Sequence, residues 1–414
     1  MIEKEEKINF NRLKTDILSL SEIGKNKKDR GIYRMAFSEH DMQARGWLRE
    51  QILNADLKFQ IDGAANISAI LEGQENKPKI IVGSHIDTVP CAGALDGTLG
   101  VLIGLECLRR FKELGIKPVH GIELVSFTDE EGRFGGMFGS QSFCGRTTPE
   151  TLHSSRDLNG ISLSEALKAN GFEPIKALEA ARNPTTIKNY LELHIEQGPV
   201  LDNLNKQIGV VTEITGLFKW SVKLLGVANH AGTTPMEMRK DAFMGLAEFA
   251  NEIPRIIEEN GSEKSRATIG KVDLHPGAAN SVPGMVEFSL DVRDTSVEIL
   301  NELQEAFRKA ISAIARRREL MFEFETLSWI NPVKCAEDVM KVIEGNAKKL
   351  ALDYLLLPSG AAHDAQILGE FVPSAMIFVP SKNGLSHSPS EWTAWSDIEA
   401  GANLMFHTIL ELSR

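Results

Sequence analysis

Residues 79–87 read KIIVGSHID, and the reading of this stretch decides the fold. Its first six residues, KIIVGS, are a short β-branched run that reads as a strand. It runs straight into His85 and Asp87. Working outward, Thr98–Leu114 carries Val101, Leu102, Leu105, Leu108 and Phe111 at helical spacing, with Thr98 as its predicted N-cap. Further strands are predicted at Ile122–Phe127 (IELVSF), Tyr190–Ile195 (YLELHI) and Ala375–Val379 (AMIFV). Residues 1–78 read as helical with polar interruptions. Strands alternating with helices predict an α/β domain with a mainly parallel sheet.

The middle of the chain has another rhythm. Strand-like runs at Trp220–Leu225, Ala267–Leu274, Val286–Val292 and Met321–Thr326 alternate with helical runs at Asp241–Glu259 and Val297–Arg318. The order is β-α-β-β-α-β, the ferredoxin-like arrangement. The expected organisation is therefore a discontinuous α/β domain, 1–212 and 328–414, interrupted by a ferredoxin-like domain at 213–327.

Composition narrows the function. The 414 residues carry 46 Lys and Arg against 57 Asp and Glu, a net charge of −11. That balance lacks the basic footprint of a nucleic-acid binder or an anionic-membrane anchor. The four cysteines, Cys91, Cys107, Cys144 and Cys335, are scattered and suit a reducing compartment. The opening MIEKEEKINF has no apolar core and does not read as a signal peptide. No uncharged apolar run reaches the roughly 18 residues of a membrane span. A cytoplasmic location is expected.

Metal-ligand residue types gather at the predicted strand ends. His85 and Asp87 follow KIIVGS, Glu130 and Glu131 follow IELVSF, and His194 closes YLELHI. Asp96 sits in the loop GALDGTLG before a helix, and His387 lies in NGLSHSPSE after AMIFV. In open α/β sheets ligands bind beyond the carboxyl ends of the strands, so His85, Glu130, Glu131 and His194 fall on one edge. Each alone has a plainer reading, as a structural histidine, a turn aspartate or a solvated acidic loop. Together they form a mixed imidazole and carboxylate set suited to zinc, manganese or cobalt, not to calcium or an iron–sulfur cluster. A bridging carboxylate such as Asp96 would allow two metals, leaving one carboxylate as general base.

The blocks GSHIDTVP (83–90), LDGTLGV (95–101), TDEEGRFG (128–135), ELHIEQGP (192–199) and GLSHSPSE (384–391) resemble those of the binuclear metallohydrolase superfamily that includes aminoacylases and dipeptidases. ELHIEQGP, ANHAGTTPM (228–236), NSVPG (280–284), DVRD (291–294) and SGAAHDA (359–365) narrow the resemblance. They are similar to the amidase/hydantoinase/carbamoylase branch of N-carbamoyl-L-amino-acid hydrolases, allantoate amidohydrolases and β-ureidopropionases. The resemblance implies two divalent ions (zinc, manganese or cobalt) held by His85, Asp96, Glu131, His194 and His387. It implies Glu130 as general base and Asp87 as the partner orienting His85. His230 would stabilise the oxyanion, Arg293 would fork onto a substrate carboxylate, and Gln197 and Asn280 would make further polar contacts with substrate. It implies a lid and homodimer interface in the inserted domain.

His363, in SGAAHDA, is left outside the metal set. Arg239 and Asp241 are read as an ion pair shaping the His230 loop. The chain departs from the branch at Cys91-Ala92-Gly93-Ala94, where two glycines are usual, and at Ala65-Asn66, where Gly-Asn is usual. The expected activity is metal-dependent hydrolysis of a linear ureido or amide C–N bond. The substrate would be an N-carbamoyl-L-amino acid or an allantoate-like ureido acid. The rival readings are a dipeptidase or N-acyl-amino-acid hydrolase, and a catalytically silent binding or dimerisation protein.

Overall fold

Residues Lys79–His85 of the opening run form a strand, as their composition dictates. The computed structural model describes residues 6–74 and 76–414. The first strands are β1 (Lys58–Ile61), β2 (Ile67–Leu71), β3 (Lys79–His85), β4 (Ile122–Phe127), β5 (Ile187–Ile195) and β6 (Ile208–Ile214). β3 lies between β4 and β5 and runs parallel to both. All six residues of β4 are buried, and so is β3 beyond Lys79. That double-sided burial explains the continuous apolar runs. The helix Thr98–Glu113 connects β3 to β4 and is buried along most of its length. Its Phe111 meets Phe406 of the C-terminal helix Trp395–Leu412 edge to face at 5.4 Å.

Residues 1–78 are not helical throughout. Helices Phe10–Ser21 and Glu39–Asn54 are followed by the antiparallel pair β1–β2. Asp62 turns the chain by accepting from the amides of Ala64 and Asn66, each at 2.9 Å. Ala65 takes a left-handed φ of 64° in that turn, a conformation a glycine adopts without strain. Thr98 is not the N-cap either. Gly97 is, and the Thr98 hydroxyl accepts from the buried Arg34 guanidinium at 2.9 Å.

The chain divides into two compact units, Met1–Thr212 with Lys334–Arg414, and Glu213–Val333. The second contains β7 (Gly216–Leu225), β8 (Asn229–His230), β9 (Arg266–Thr268), β10 (Val272–His275), β11 (Ser281–Val282), β12 (Met285–Asp294) and β13 (Met321–Ile330). Its main sheet has the order β10-β12-β7-β13, with β9 also on β12, and every pairing is antiparallel. β12 alternates strictly between half-buried and buried residues, as expected for a sheet covered on one face. Helices Ala242–Asn260 and Val297–Arg317 supply Phe249 and Phe307 to the core beneath Phe218, Trp220 and Phe288. The run read as one strand at 267–274 is two, β9 and β10. The boundary at 327/328 falls inside β13, where the register slips between Thr326 and Ser328. The bulge at Leu327 breaks the alternation, so the sequence pattern stops short of the strand's end.

After the insertion come β14 (Val333–Lys334), β15 (Tyr354–Ser359) and β16 (Ser374–Val379). β16 joins β5 in parallel, completing a nine-stranded sheet of order β1-β2-β4-β3-β5-β16-β6-β14, with β15 on β6. The fold is thus mixed α/β with a parallel centre, β4-β3-β5-β16. Among the described residues no helix is long and apolar enough to cross a membrane.

Phe288→Ala removes a fully buried ring 5.6 Å from Phe249 and is expected to cost about 3–5 kcal/mol in urea unfolding. Lys223→Ala, on the opposite face with an exposed ion pair to Glu287, is expected to cost less than about 1 kcal/mol.

Candidate metal centre

The four central parallel strands end side by side, and their exits carry the predicted residues. His85 is the last residue of β3, and His194 is the penultimate residue of β5. Asp129–Glu131 follow β4 directly, and His387 sits in the loop after β16. Asp96 precedes the helix that begins at Thr98. Its Oδ1 lies 3.1 Å from His194 Nε2 and 3.7 Å from His85 Nε2. Its Oδ2 lies 3.1 Å from His387 Nε2.

Each buried imidazole is oriented through its other nitrogen. His85 Nδ1 donates to the Asp87 backbone carbonyl at 3.0 Å, and His194 Nδ1 donates to the Ile195 carbonyl at 2.9 Å. These bonds fix the tautomer and turn each Nε2 toward Asp96. His194 Nε2 also accepts from the Gly97 amide at 3.0 Å. In the neutral imidazoles, lone pairs therefore face carboxylate oxygens. That is acceptor against acceptor, and it requires a proton or a metal cation between them.

The titration shifts follow from this crowding. Burial lowers the His85 imidazole to about 4, so it stays neutral. Burial works against a charged His194, but the hydrogen bond to Asp96 outweighs it and raises that ring to about 9. Burial also opposes the charge on Asp96, yet His194 and His387 hold its carboxyl well below the usual carboxylate range. Burial pushes Glu130 and Glu131 well above theirs, helped by Asp364 and Glu131 for the first and Asp96 for the second. Glu131 Oε2 is 3.5 Å from His387 Nε2, while its Oε1 is buried without a hydrogen-bond partner. Glu130 Oε2 is 3.6 Å from His85 Nε2.

Two groups, His85-Asp96-His194 and Asp96-Glu131-His387, can each bring ligand atoms within 4.8 Å of one another, and Asp96 belongs to both. The donors fit divalent cations: neutral imidazole nitrogens, carboxylate oxygens and one orphaned carboxylate atom. Asp87 serves the centre twice. Its carbonyl orients His85, and its carboxylate accepts from the amides of Glu130 at 3.4 Å and Glu131 at 3.2 Å. Burial raises that carboxyl to about 7.

Gln197 lies on the centre itself. Its Nε2 donates to Asp96 Oδ2 at 2.8 Å and is 3.3 Å from His387 Nε2. In the second unit, β8 pairs with β11 and sets His230 opposite Ser281. The Ala231 amide donates to the Asn280 carbonyl at 2.8 Å, so His230 and Asn280 stand on one ribbon. Arg293, on β12, is partly exposed and donates from Nε to Asp291 at 2.9 Å. Arg239 does not pair with Asp241. It donates to the carbonyls of Thr234 and Ala231, bracing the His230 loop, while Asp241 caps the helix Ala242–Asn260.

Two neighbours escape the sequence reading, which leaves a third, His363, outside the metal set. His363 packs its ring 4.5 Å from that of His194 and shares a 3.0 Å hydrogen bond with Ser359. Glu192 accepts from Ser84, Tyr190 and the Ala365 amide. Glu391 accepts from the amides of Leu95 and Asp96. The blocks SGAAHDA, ELHIEQGP and GLSHSPSE contain all three, but spacing alone gives them no role.

Residues 81–411 match peptidase family M20/M25/M40. The N-carbamoyl-L-amino-acid amidohydrolase of Pseudomonas sp. (strain NS671) is 37% identical over 409 residues, 98% of each chain. The allantoate amidohydrolase of Bacillus subtilis (strain 168) is 32% identical, over 93% of each chain. The crystal structure of an amidase of the hydantoinase/carbamoylase family from Burkholderia multivorans superposes with a TM-score of 0.89 at 32% identity, covering 98% of each chain.

Gly97 tests the geometry. Its φ is +59°, and an added Cβ would collide with the His85 ring. Gly97→Ala is expected to lower the melting temperature and to weaken divalent-metal binding about 10–100-fold, read by calorimetry and metal content.

Proposed function

The chain belongs to peptidase family M20/M25/M40, and from that membership we propose its reaction and the role of each residue. It is a hydrolase of carbon–nitrogen bonds other than peptide bonds, like its N-carbamoyl-L-amino-acid and allantoate amidohydrolase relatives. The substrate is a linear ureido acid, an N-carbamoyl-L-amino acid or an allantoate-like compound. The observation that carries this reading is the Asp96 carboxylate set among three imidazoles, with the orphaned Glu131 Oε1 beside them.

His85, Asp96, Glu131, His194 and His387 would hold two divalent ions, zinc, manganese or cobalt, with Asp96 common to both. Bound there, such ions acidify water and polarise a carbonyl. Glu130 takes the proton of the attacking water at its carboxylate and returns it to the leaving nitrogen. Burial and the neighbouring carboxylates push the Glu130 carboxyl upward, which favours holding the proton it takes. His230 donates to the oxyanion. Arg293 leaves Asp291 to fork onto the substrate carboxylate. Gln197 and Asn280 bind the remaining polar groups. A carbamoyl substrate then yields the amino acid, ammonia and carbon dioxide.

The insertion at 213–327 is read as a ferredoxin-like lid and dimerisation domain of a cytoplasmic homodimer. The β-α-β-β-α-β order and antiparallel sheet of the second unit support the fold part of that reading.

The test is ammonia release by the manganese-loaded protein from N-carbamoyl-L-amino acids, allantoate and N-carbamoyl-β-alanine. N-acetyl-amino acids and dipeptides run alongside in a free-amine assay. Turnover of a ureido substrate is expected; turnover of acetyl or peptide bonds alone would move the protein to the aminoacylase or peptidase side.

Glu130→Gln is expected to keep its metal content and lose about 10²–10⁴ in kcat. Arg293→Lys is expected to raise KM about tenfold or more with a smaller change in kcat. Chelation is expected to abolish turnover, and added divalent metal to restore it.

A further inference from the structure

Beside the candidate metal centre, wholly within the first unit, lies a cleft of about 630 Å³. Its inner end is formed by Asp87 and Glu131, and its walls include Met35, Val89, Pro90 and Leu158. Val89 and Glu131 line it together, so the apolar wall begins at the centre itself. Leu158, at the far wall, is fully exposed.

The loop that presents Leu158 is rigidly held. Asp157 accepts from the amides of Asn159 at 2.9 Å and Ile161 at 3.0 Å. Arg156 and Ser162 form a backbone bridge across the loop's base. Arg133 ties the loop down, donating to Asp157 at 2.9 Å and to the Ala36 carbonyl at 2.7 Å. Leu158 therefore stands in water because its backbone is stapled there. Its burial by a ligand would need little further ordering of the chain.

We propose that this cleft is the subsite for an apolar side chain of the substrate, and that Leu158 determines specificity there. The proposal rests on the ureidohydrolase reading and deepens it. It favours N-carbamoyl-L-amino acids with leucine- or methionine-like side chains over allantoate. The volume lies within the range of small-ligand sites, which combine apolar wall with placed polar groups; here Asp87 and Glu131 lie by the centre, and Arg156, Asp157 and Asn159 flank Leu158. Of the two cations that line the cleft, Arg133 is paired with Asp157, and Arg156 donates to the Gly160 carbonyl and faces Glu165 at 4.0 Å, so both already have partners. Where the second ureido group of allantoate met Met35, Pro90 and Leu158 rather than Ser38 or Thr88, its amide hydrogens would go unpaired.

The test uses the full chain, metal-loaded, as wild type, Leu158→Ala and Leu158→Asp. The substrates are the N-carbamoyl and N-acetyl derivatives of L-leucine, L-methionine and glycine, with allantoate. The wild type is expected to favour leucine and methionine over glycine at least tenfold in kcat/KM. That ratio should fall several-fold in Leu158→Ala and about tenfold or more in Leu158→Asp, with unchanged melting temperatures because Leu158 packs against nothing. Ratios unmoved by either variant, or allantoate as the preferred substrate, would overturn the subsite. Side-chain preference on acetyl substrates alone would retire the ureido reading and keep the subsite. Ureido turnover blind to the side chain would do the reverse. If neither class is turned over, calorimetry with free L-leucine decides: binding lost in Leu158→Asp supports the subsite, and binding equal in all three proteins overturns it.

Discussion

The Asp96 carboxylate is the constraint on which the rest of the site depends. It is buried among His85, His194 and His387, and two of those rings have their other nitrogen committed to a backbone carbonyl. An anion surrounded by imidazole acceptors is unstable unless positive charge lies between them. The neighbourhood is built to keep the anion in place. Gln197 and Ser386 donate to its Oδ2 at 2.8 and 2.9 Å, and Glu391 accepts the backbone amide at 3.1 Å. Burial raises the Glu391 carboxyl to about 7. Gly97 follows with a left-handed φ, leaving room for the His85 ring.

Around that anion, adjacent residues divide the work. Glu131 turns one oxygen to His387, while Glu130 faces His85. Their amides are both held by the Asp87 carboxylate, so one aspartate aligns a loop with its side chain and an imidazole with its carbonyl. Glu192 does comparable work behind the site. It joins Ser84, next to His85, to the Ala365 amide beside His363 and Asp364. The ligand-bearing strands are thus cross-linked by buried polar groups whose partners are supplied. Such a network tolerates few substitutions.

The legibility of the fold varied with the physics of each element. β3 and β4 were plain because a parallel strand covered on both faces must be apolar throughout. β12 was plain because one covered face enforces alternation. β1 and β2 were not, since one is short and mostly exposed and the other lacks alternation in a stretch rich in polar residues. The Leu327 bulge hid the end of β13 for the same reason: one extra residue reverses the phase of the pattern. Thr98 looked like an N-cap, but Arg34, distant in sequence, takes its hydroxyl.

The sequence by itself determined the class of chemistry. Imidazoles and carboxylates at successive strand ends must share the carboxyl edge of a parallel sheet, because strands and their burial are both written in the apolar pattern. It also marked a different rhythm of strands around two helices in the middle of the chain, which follows from local periodicity. Only the tertiary structure decided which atoms meet. The sharing of Asp96 among three histidines, the use of the Asp87 carbonyl rather than its carboxylate on His85, and the approach of Gln197 to Asp96 depend on loop conformations. So do the placements of His363 and Glu391. Those conformations are set by contacts between residues far apart in the chain, and no spacing rule records them.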